Sequence, residues 1–196
     1  MKKVVPEDAI LIPDNAKRVF RGIVFDVYQW PQKMFDGTVK TFEMLKRVDT
    51  VKAICIVDQK IVVQHEKQPT SVYKNELPGG RVEKGAKSLL DEIKREVTEE
   101  TGYKFKNWKL IHVAQVTYKI EGFFHYYLAW ESIGQQAVAH DAGENILTEL
   151  ISFERAKKLS GQPGNLLAEV WPIFEKAKDI TSLLEVTEFQ GQVLDR

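Results

Sequence analysis

With 196 residues, 43% of them hydrophobic, the chain is long enough to bury one good core with a smaller annex. Lysine plus arginine and aspartate plus glutamate stand at 28 each, so the formal net charge is +0 and a broad basic nucleic-acid surface is not expected. No apolar run approaches the ~20 residues of a membrane helix. The opening Met1-Lys2-Lys3-Val4-Val5-Pro6-Glu7-Asp8 places a proline and acids where a signal peptide needs an unbroken apolar core, so a cytoplasmic protein is expected.

Residues 1–19 read as an irregular lead-in. Over 19–30, Phe20, Ile23, Phe25, Val27 and Tyr28 predict a strand. Asp36-Gly37 signals a hairpin, and 38–48 returns as a second strand. Residues 1–50 therefore form an N-terminal β annex, too small to fold alone, that must pack on the main domain or on another subunit. Tyr28 and Trp30, two apart, share one strand face; both sheet packing and stacking on a base fit that placement.

The main domain spans 51–196. Strands over 51–57 and 60–65 form a hairpin about Asp58-Gln59, and Lys67-Gln68-Pro69 leads into a loop. Cys55, the single cysteine, lies in an apolar run and is expected to be a buried, reduced thiol. Beyond a central turn and helix come strands over 108–117 and 123–130, joined by a turn at Glu121-Gly122. The aromatic density of the second strand predicts burial on both faces. A polar loop over 134–143, a strand over 145–153 and a helix over 154–159 behind Ser152 follow. Gly161-Gln162-Pro163-Gly164 then breaks the chain before an amphipathic helix over 165–178. Strands on both sides of one central helix, with helices at the end, predict an α/β fold, a three-layer α/β/α sandwich around a mixed sheet. The four histidines, His65, His112, His125 and His140, lie on separate elements with no zinc-type spacing.

The stretch that organises this pattern runs from Leu77-Pro78-Gly79-Gly80-Arg81 to Glu99-Glu100-Thr101-Gly102. Ser88 is an N-cap residue with Asp91 three positions on; Leu89, Ile93 and Val97 draw an apolar stripe, and Gly102 is a C-terminal stop, which predicts a helix over 88–101. On its polar side Glu96, Glu99 and Glu100 stand at i, i+3 and i+4, with Glu92 a turn earlier. Like charges at that spacing repel by about 0.2–0.5 kcal/mol per pair unless a cation lies among them. Mg²⁺, which takes oxygen ligands and sits between carboxylates and substrate phosphates, removes that repulsion. Gly79 and Gly80 let the backbone approach a ligand closely.

This combination resembles the Nudix hydrolases. Their signature runs Gly, five residues, Glu, seven residues, Arg-Glu, an aliphatic residue, any residue, Glu-Glu, any residue, Gly and an aliphatic or similar residue. Arg95-Glu96-Val97-Thr98-Glu99-Glu100-Thr101-Gly102-Tyr103 matches its second half. The first half begins at Gly80 but carries Ala86 and Lys87 where the family has its first Glu, with one inserted residue before the helix. In the family that Glu supports the motif Arg and the metal site. The remaining carboxylates imply Glu96, Glu99 and Glu100 as ligands of Mg²⁺ (or Mn²⁺), with the Gly79 carbonyl as a further ligand and Arg95 pairing with Glu99 or Glu92. The N-terminal hairpin together with Glu76-Leu77-Pro78-Gly79-Gly80 looks like the ADP-ribose pyrophosphatase branch. That branch implies a homodimer with an exchanged annex, an aromatic residue, here Trp30, at the nucleobase site, and a cation in the strand before the loop, here Lys67. Glu144 stands where the branch often keeps a general base.

The expected reaction is attack of water on phosphorus in a nucleoside diphosphate linked to another moiety, of ADP-ribose or nucleotide-sugar type. Such a step is mostly positioning and charge neutralisation. Catalytic roles fall to Glu99, Glu144 and Arg95, and substrate contacts to Trp30, Lys67, Glu76, Gly80 and Arg81. A rival reading is a Nudix-fold module that binds such a ligand without cleaving it. The missing first Glu favours the rival; retention of all three helix carboxylates favours the enzyme.

Overall fold

The computed structural model of the chain describes residues 1–139, 143 and 145–195. Its strands are β1 (Lys2–Val5), β2 (Lys17–Arg21), β3 (Asp26–Lys33), β4 (Val39–Lys46), β5 (Thr50–Val57), β6 (Lys60–Gln68) and β7 (Ser71–Glu76), then β8 (Tyr103–Thr117), β9 (Ile120–Gln135), β10 (Asn145–Ser152) and β11 (Gln192–Asp195). The helices are α1 (Leu89–Thr101), α2 (Phe153–Ser160), α3 (Trp171–Lys176) and α4 (Ile180–Leu184), with a 3-10 turn over Leu166–Val170.

Strand β9 is the axis of the sheet. It pairs antiparallel with β8 on one edge, and on the other it runs parallel to β5 and, at Leu45 and Lys46, to β4. Outward from β5 come β6 and β10, with β7 beside the far end of β6; outward from β4 come β3 and β2. Every residue of β5 is buried because helices cover both faces of the sheet. Its odd positions Val51, Ala53 and Cys55 pack with Leu89, Ile93 and Val97 of α1. Its even positions Ile54 and Ile56 face Phe153 of α2, Leu167 of the 3-10 turn, Phe174 of α3 and Leu183 of α4. This is the three-layer sandwich that the sequence predicts. Cys55 is fully buried, and burial first, then the nearby Glu100 carboxylate, pushes its thiol pKa up.

Helix α1 forms where the local signals agree. Ser88 Oγ accepts the Asp91 N–H at 3.0 Å, and Gly102, at φ 75°, donates its N–H to the Thr98 carbonyl at 3.0 Å. Burying Leu89, Ile93 and Val97 contributes roughly 1.5–3 kcal/mol each, so packing outweighs the cap, worth about 1 kcal/mol. Ser88→Ala is accordingly expected to lower the melting temperature by only about 2–4 °C with turnover unchanged, read by thermal denaturation.

Several boundaries differ from the sequence reading. The expected lead-in contains β1, which pairs with β11, so the ends of the chain form a two-stranded ladder. The single strand expected over 19–30 is two, broken at Gly22, whose N–H donates to the Phe25 carbonyl at 3.0 Å. The segment read as a loop after Lys67 turns tightly at Pro69-Thr70 and returns as β7. The turn expected at Glu121-Gly122 lies at Tyr118-Lys119, so both residues sit inside β9. The helix expected over 165–178 splits into the 3-10 turn and α3, because Pro172 near the start of α3 has no N–H to continue the earlier ladder. No helix among the described residues is long and apolar enough to cross a membrane.

Candidate active site

The glycine turn is clamped between β5 and α1. Ala53 donates its N–H to the Pro78 carbonyl and Val51 donates to the Gly80 carbonyl, both at 2.9 Å. Gly79 has φ +143°, and a Cβ there would stand 2.1 Å from the Val51 carbonyl oxygen. A Cβ on Gly80 would stand 2.6 Å from the Glu96 carboxylate. Gly79 is thus packed against the backbone of β5, where only glycine fits, and Gly80 lies directly against the acidic helix. The Gly79 N–H donates to Glu100 Oε2 at 2.9 Å.

Arg95 gathers the acids on the same face of α1. Its Nη1 donates to Glu99 Oε2 at 2.5 Å, while Nη2 donates to Glu92 Oε1 at 2.5 Å and Glu96 Oε1 at 2.6 Å. Glu83 Oε1 lies 3.4 Å from Nη2. Burial opposes the Arg95 charge, but these carboxylates hold its pKa above the ordinary value. Burial pushes the Glu96 carboxyl up to about 7; Arg95 opposes that shift, and the Glu92 and Glu99 charges add to it.

These groups form one wall of a cleft of about 760 Å³. Glu76, Gly79, Gly80, Arg81, Arg95, Glu96, Glu99 and Glu100 all line it. Two further site residues expected from the sequence lie elsewhere. Trp30 is buried against Ile12, Met44 and Phe42, so its ring is used in packing within its own chain. Lys67 is exposed on β6 and does not line the cleft, although its neighbours Glu66 and Gln68 do. Glu144 lies outside the described residues.

The opposite wall carries groups that the sequence did not single out. Lys52 of β5, its side chain 8% exposed, places Nζ 2.9 Å from Glu76 Oε1 and 3.4 Å from Glu169 Oε2. Tyr126 Oη donates to Glu169 Oε2 at 2.6 Å. Burial works against the Lys52 charge, yet Glu76 and Glu169 raise its pKa overall. The Phe124 ring lies 5.5 Å from both Lys52 Nζ and the Arg47 guanidinium, within cation–π range. Arg47 donates to Thr50 Oγ1 at 2.8 Å, and burial and the nearby Arg81 charge lower its pKa. Of this wall the sequence had singled out Glu76 alone; the further sign it offered was a lysine inside an otherwise apolar strand.

The donor set suits a hard divalent cation: carboxylate oxygens on one helix face, held directly against a turn whose missing Gly80 side chain lets Glu96 come close to the backbone. Among the described residues no group of three or more acids, histidines or cysteines already converges at ligating distance. The reason is visible in the pairing: Arg95 draws Glu96 and Glu99 toward itself, and the Gly79 N–H takes Glu100.

The NUDIX domain family model matches residues 46–170, more than half the chain and all of the cleft walls just described. The chain belongs to the Nudix hydrolase family. The Nudix match begins at the end of β4 and closes on the 3-10 turn that carries Glu169. None of the curated proteins matches the sequence. A solved structure described as "ADP compounds hydrolase" is similar over 93% of this chain and 93% of its own, with a TM-score of 0.61 at 18% identity, a likeness of fold. A MutT structure from work on the fish pathogen Aliivibrio salmonicida and on Vibrio cholerae covers 58% of this chain and 85% of its own, at TM-score 0.46 and 18% identity.

The Nudix turn tolerates change unequally. At Gly80 the atoms that a methyl would meet are the flexible end of Glu96. Gly80→Ala is therefore expected to displace that carboxylate rather than the backbone. It should lower kcat about 10–100-fold while the melting temperature moves little, measured by paired assays of turnover and unfolding.

Proposed function

We propose that this Nudix protein hydrolyses the diphosphate bond of a nucleoside diphosphate joined to a second moiety, of ADP-ribose or nucleotide-sugar type, by attack of water on phosphorus. The observation that carries the reading is the single cleft in which the glycine turn faces Glu96, Glu99 and Glu100. Those carboxylates, with the Gly79 carbonyl, would hold Mg²⁺, for which Mn²⁺ can substitute. A bound cation of this kind polarises the diphosphate and lowers the pKa of coordinated water.

The protein groups then do the positioning. Arg47 and Arg81, close enough to repel, offer a cationic pair for substrate phosphate oxygens. Gly80 lets the substrate approach the backbone, and Arg95 keeps the acids on one face. Across the cleft the Lys52 charge is balanced by Glu76 and Glu169, a wall whose carboxylates accept from sugar hydroxyls and repel a further phosphate. That contrast favours a sugar-linked diphosphate over a nucleoside triphosphate.

Residues 1–50 are assigned to an annex that packs on a second copy, giving a homodimer. Support comes from β2, exposed along its whole length, and from the apolar Phe20, Ile23 and Val24 around its turn. Light scattering that returns a monomer at micromolar concentration would remove this part of the reading.

The deciding experiment is turnover of ADP-ribose, sugar nucleotides, dinucleoside polyphosphates and nucleoside triphosphates with Mg²⁺ and with chelator, in ¹⁸O-labelled water. The reading expects Mg²⁺-dependent cleavage of a sugar-linked diphosphate with one ¹⁸O in a product phosphate. Tight binding without turnover of any compound would instead support the second reading, a Nudix-fold binding module. That reading is favoured by Ala86 and Lys87, which stand where the signature has its first Glu.

A further inference from the structure

At the place of the signature's first Glu the chain has Ala86 and Lys87. Arg95 nevertheless has a buried carboxylate beside it. Glu92, one turn back on α1, has a side chain only 6% exposed. Its Oε1 accepts from Arg95 Nη2 at 2.5 Å and from the backbone N–H of Glu83 at 3.2 Å. The same Nη2 also reaches Glu96, and Nη1 reaches Glu99. Glu92 thus ties three parts together: the guanidinium, the loop that follows the glycine turn, and the helix that carries the acids.

A guanidinium bonded to Glu92, Glu96 and Glu99, with Glu83 at 3.4 Å, is divided between one carboxylate set back from the cleft wall and three on it. Take away the Glu92 charge, and Arg95 has only the two wall carboxylates left on α1. It then competes with a divalent cation for those same oxygens. Glu92 also fixes the Glu83 amide, and with it the exit of the loop from the turn.

We propose that Glu92 is a positioning residue of this site: it anchors Arg95 and the 80–85 loop so that Glu96 and Glu99 stay available to a divalent cation. The proposal rests on the reading of those two acids as metal ligands, and it assigns to a helix residue the support that the signature places in the loop.

The test is Mn²⁺ binding to the full chain, followed by electron paramagnetic resonance and calorimetry, for wild type, Glu92→Gln, Arg95→Gln and the double variant, with melting temperatures alongside. Glu92→Gln is expected to raise the Mn²⁺ Kd on the order of tenfold, the low end of losses seen when support behind metal ligands is removed. The double variant should bind no worse than Arg95→Gln alone, since the competing guanidinium is gone. A merely structural Glu92 would lower stability and add its loss to that of Arg95→Gln. Folded Glu92→Gln with wild-type Kd, or additive losses in the double variant, overturns the proposal. If Glu92→Gln does not fold, Glu92→Asp keeps the charge but withdraws the carboxylate, and an unchanged Kd there overturns the proposal equally. Absence of Mn²⁺ uptake by wild type overturns the metal reading itself and this proposal with it, whereas normal wild-type uptake with unaffected variants sinks the Glu92 role alone.

Discussion

Glu100→Gln is expected to lower kcat about a thousandfold while the protein remains folded. The side chain is buried on the cleft wall, and its Oε2 accepts the Gly79 N–H at 2.9 Å. Glutamine keeps the volume and one oxygen acceptor, so the turn keeps a partner and the α1 core face (Leu89, Ile93, Val97) is untouched. What disappears is one negative charge facing the cation that the reading requires. A metal centre contributes several kcal/mol to such chemistry, and each 1.36 kcal/mol is tenfold in rate, which gives about three orders of magnitude. The measurement is single-substrate turnover at saturating Mg²⁺ beside a thermal melt. Unchanged kcat in a folded variant would count directly against Glu100 as a ligand.

Gly79→Ala is expected to act on stability instead. Its Cβ would fall 2.1 Å from the Val51 carbonyl oxygen and 2.8 Å from Lys52 Cα, both backbone atoms of a fully buried central strand. The φ of +143° is strained for any L side chain. Strain of about 1–3 kcal/mol and a further 1–3 kcal/mol of overpacking total about 4 kcal/mol. For a domain of this size that is a fall in melting temperature of roughly 8–16 °C, a large part of a stability of about 5–15 kcal/mol. Gly80→Ala, one residue on, meets a movable side-chain end and should leave the melt nearly unchanged. A Gly79→Ala protein that melts like wild type would show that the turn relaxes away from β5. The clamping of the turn against the acids would then need revision.

The legible parts of the chain were those where neighbouring signals agreed. Ser88, the Leu89-Ile93-Val97 stripe and Gly102 all specify one helix, and α1 spans Leu89–Thr101. Asp58-Gln59 takes positive φ at both positions, as a two-residue hairpin turn requires. Where tertiary context decided, sequence patterns misled. Apolar residues continue through Gly22, hiding the break between β2 and β3. The periodicity over 165–178 is helical, but Pro172 divides it. β1 and β11, short and far apart in sequence, are strands only because they find each other.

The site divides in the same way. The turn and the three acids lie within one continuous stretch, so spacing alone brought them together. The Lys52–Glu169 pair joins residues 117 apart, and Lys52 sits in a strand that otherwise reads as core. That wall is assembled by the packing of the 3-10 turn against β7 and the sheet, which no local pattern encodes. Glu92 was visible as an i−3 partner for Arg95. That it also holds the Glu83 amide required the folded loop.

The most direct measurement is anomalous diffraction from crystals soaked with Mn²⁺ and ADP-ribose. Mn²⁺ density is expected between the Gly79-Gly80 turn and the carboxylates of Glu96, Glu99 and Glu100, with the substrate's diphosphate against it. Density at a different set of residues, or a diphosphate bound with Arg95 still closing off Glu96 and Glu99 and no Mn²⁺ beside them, would contradict this metal assignment.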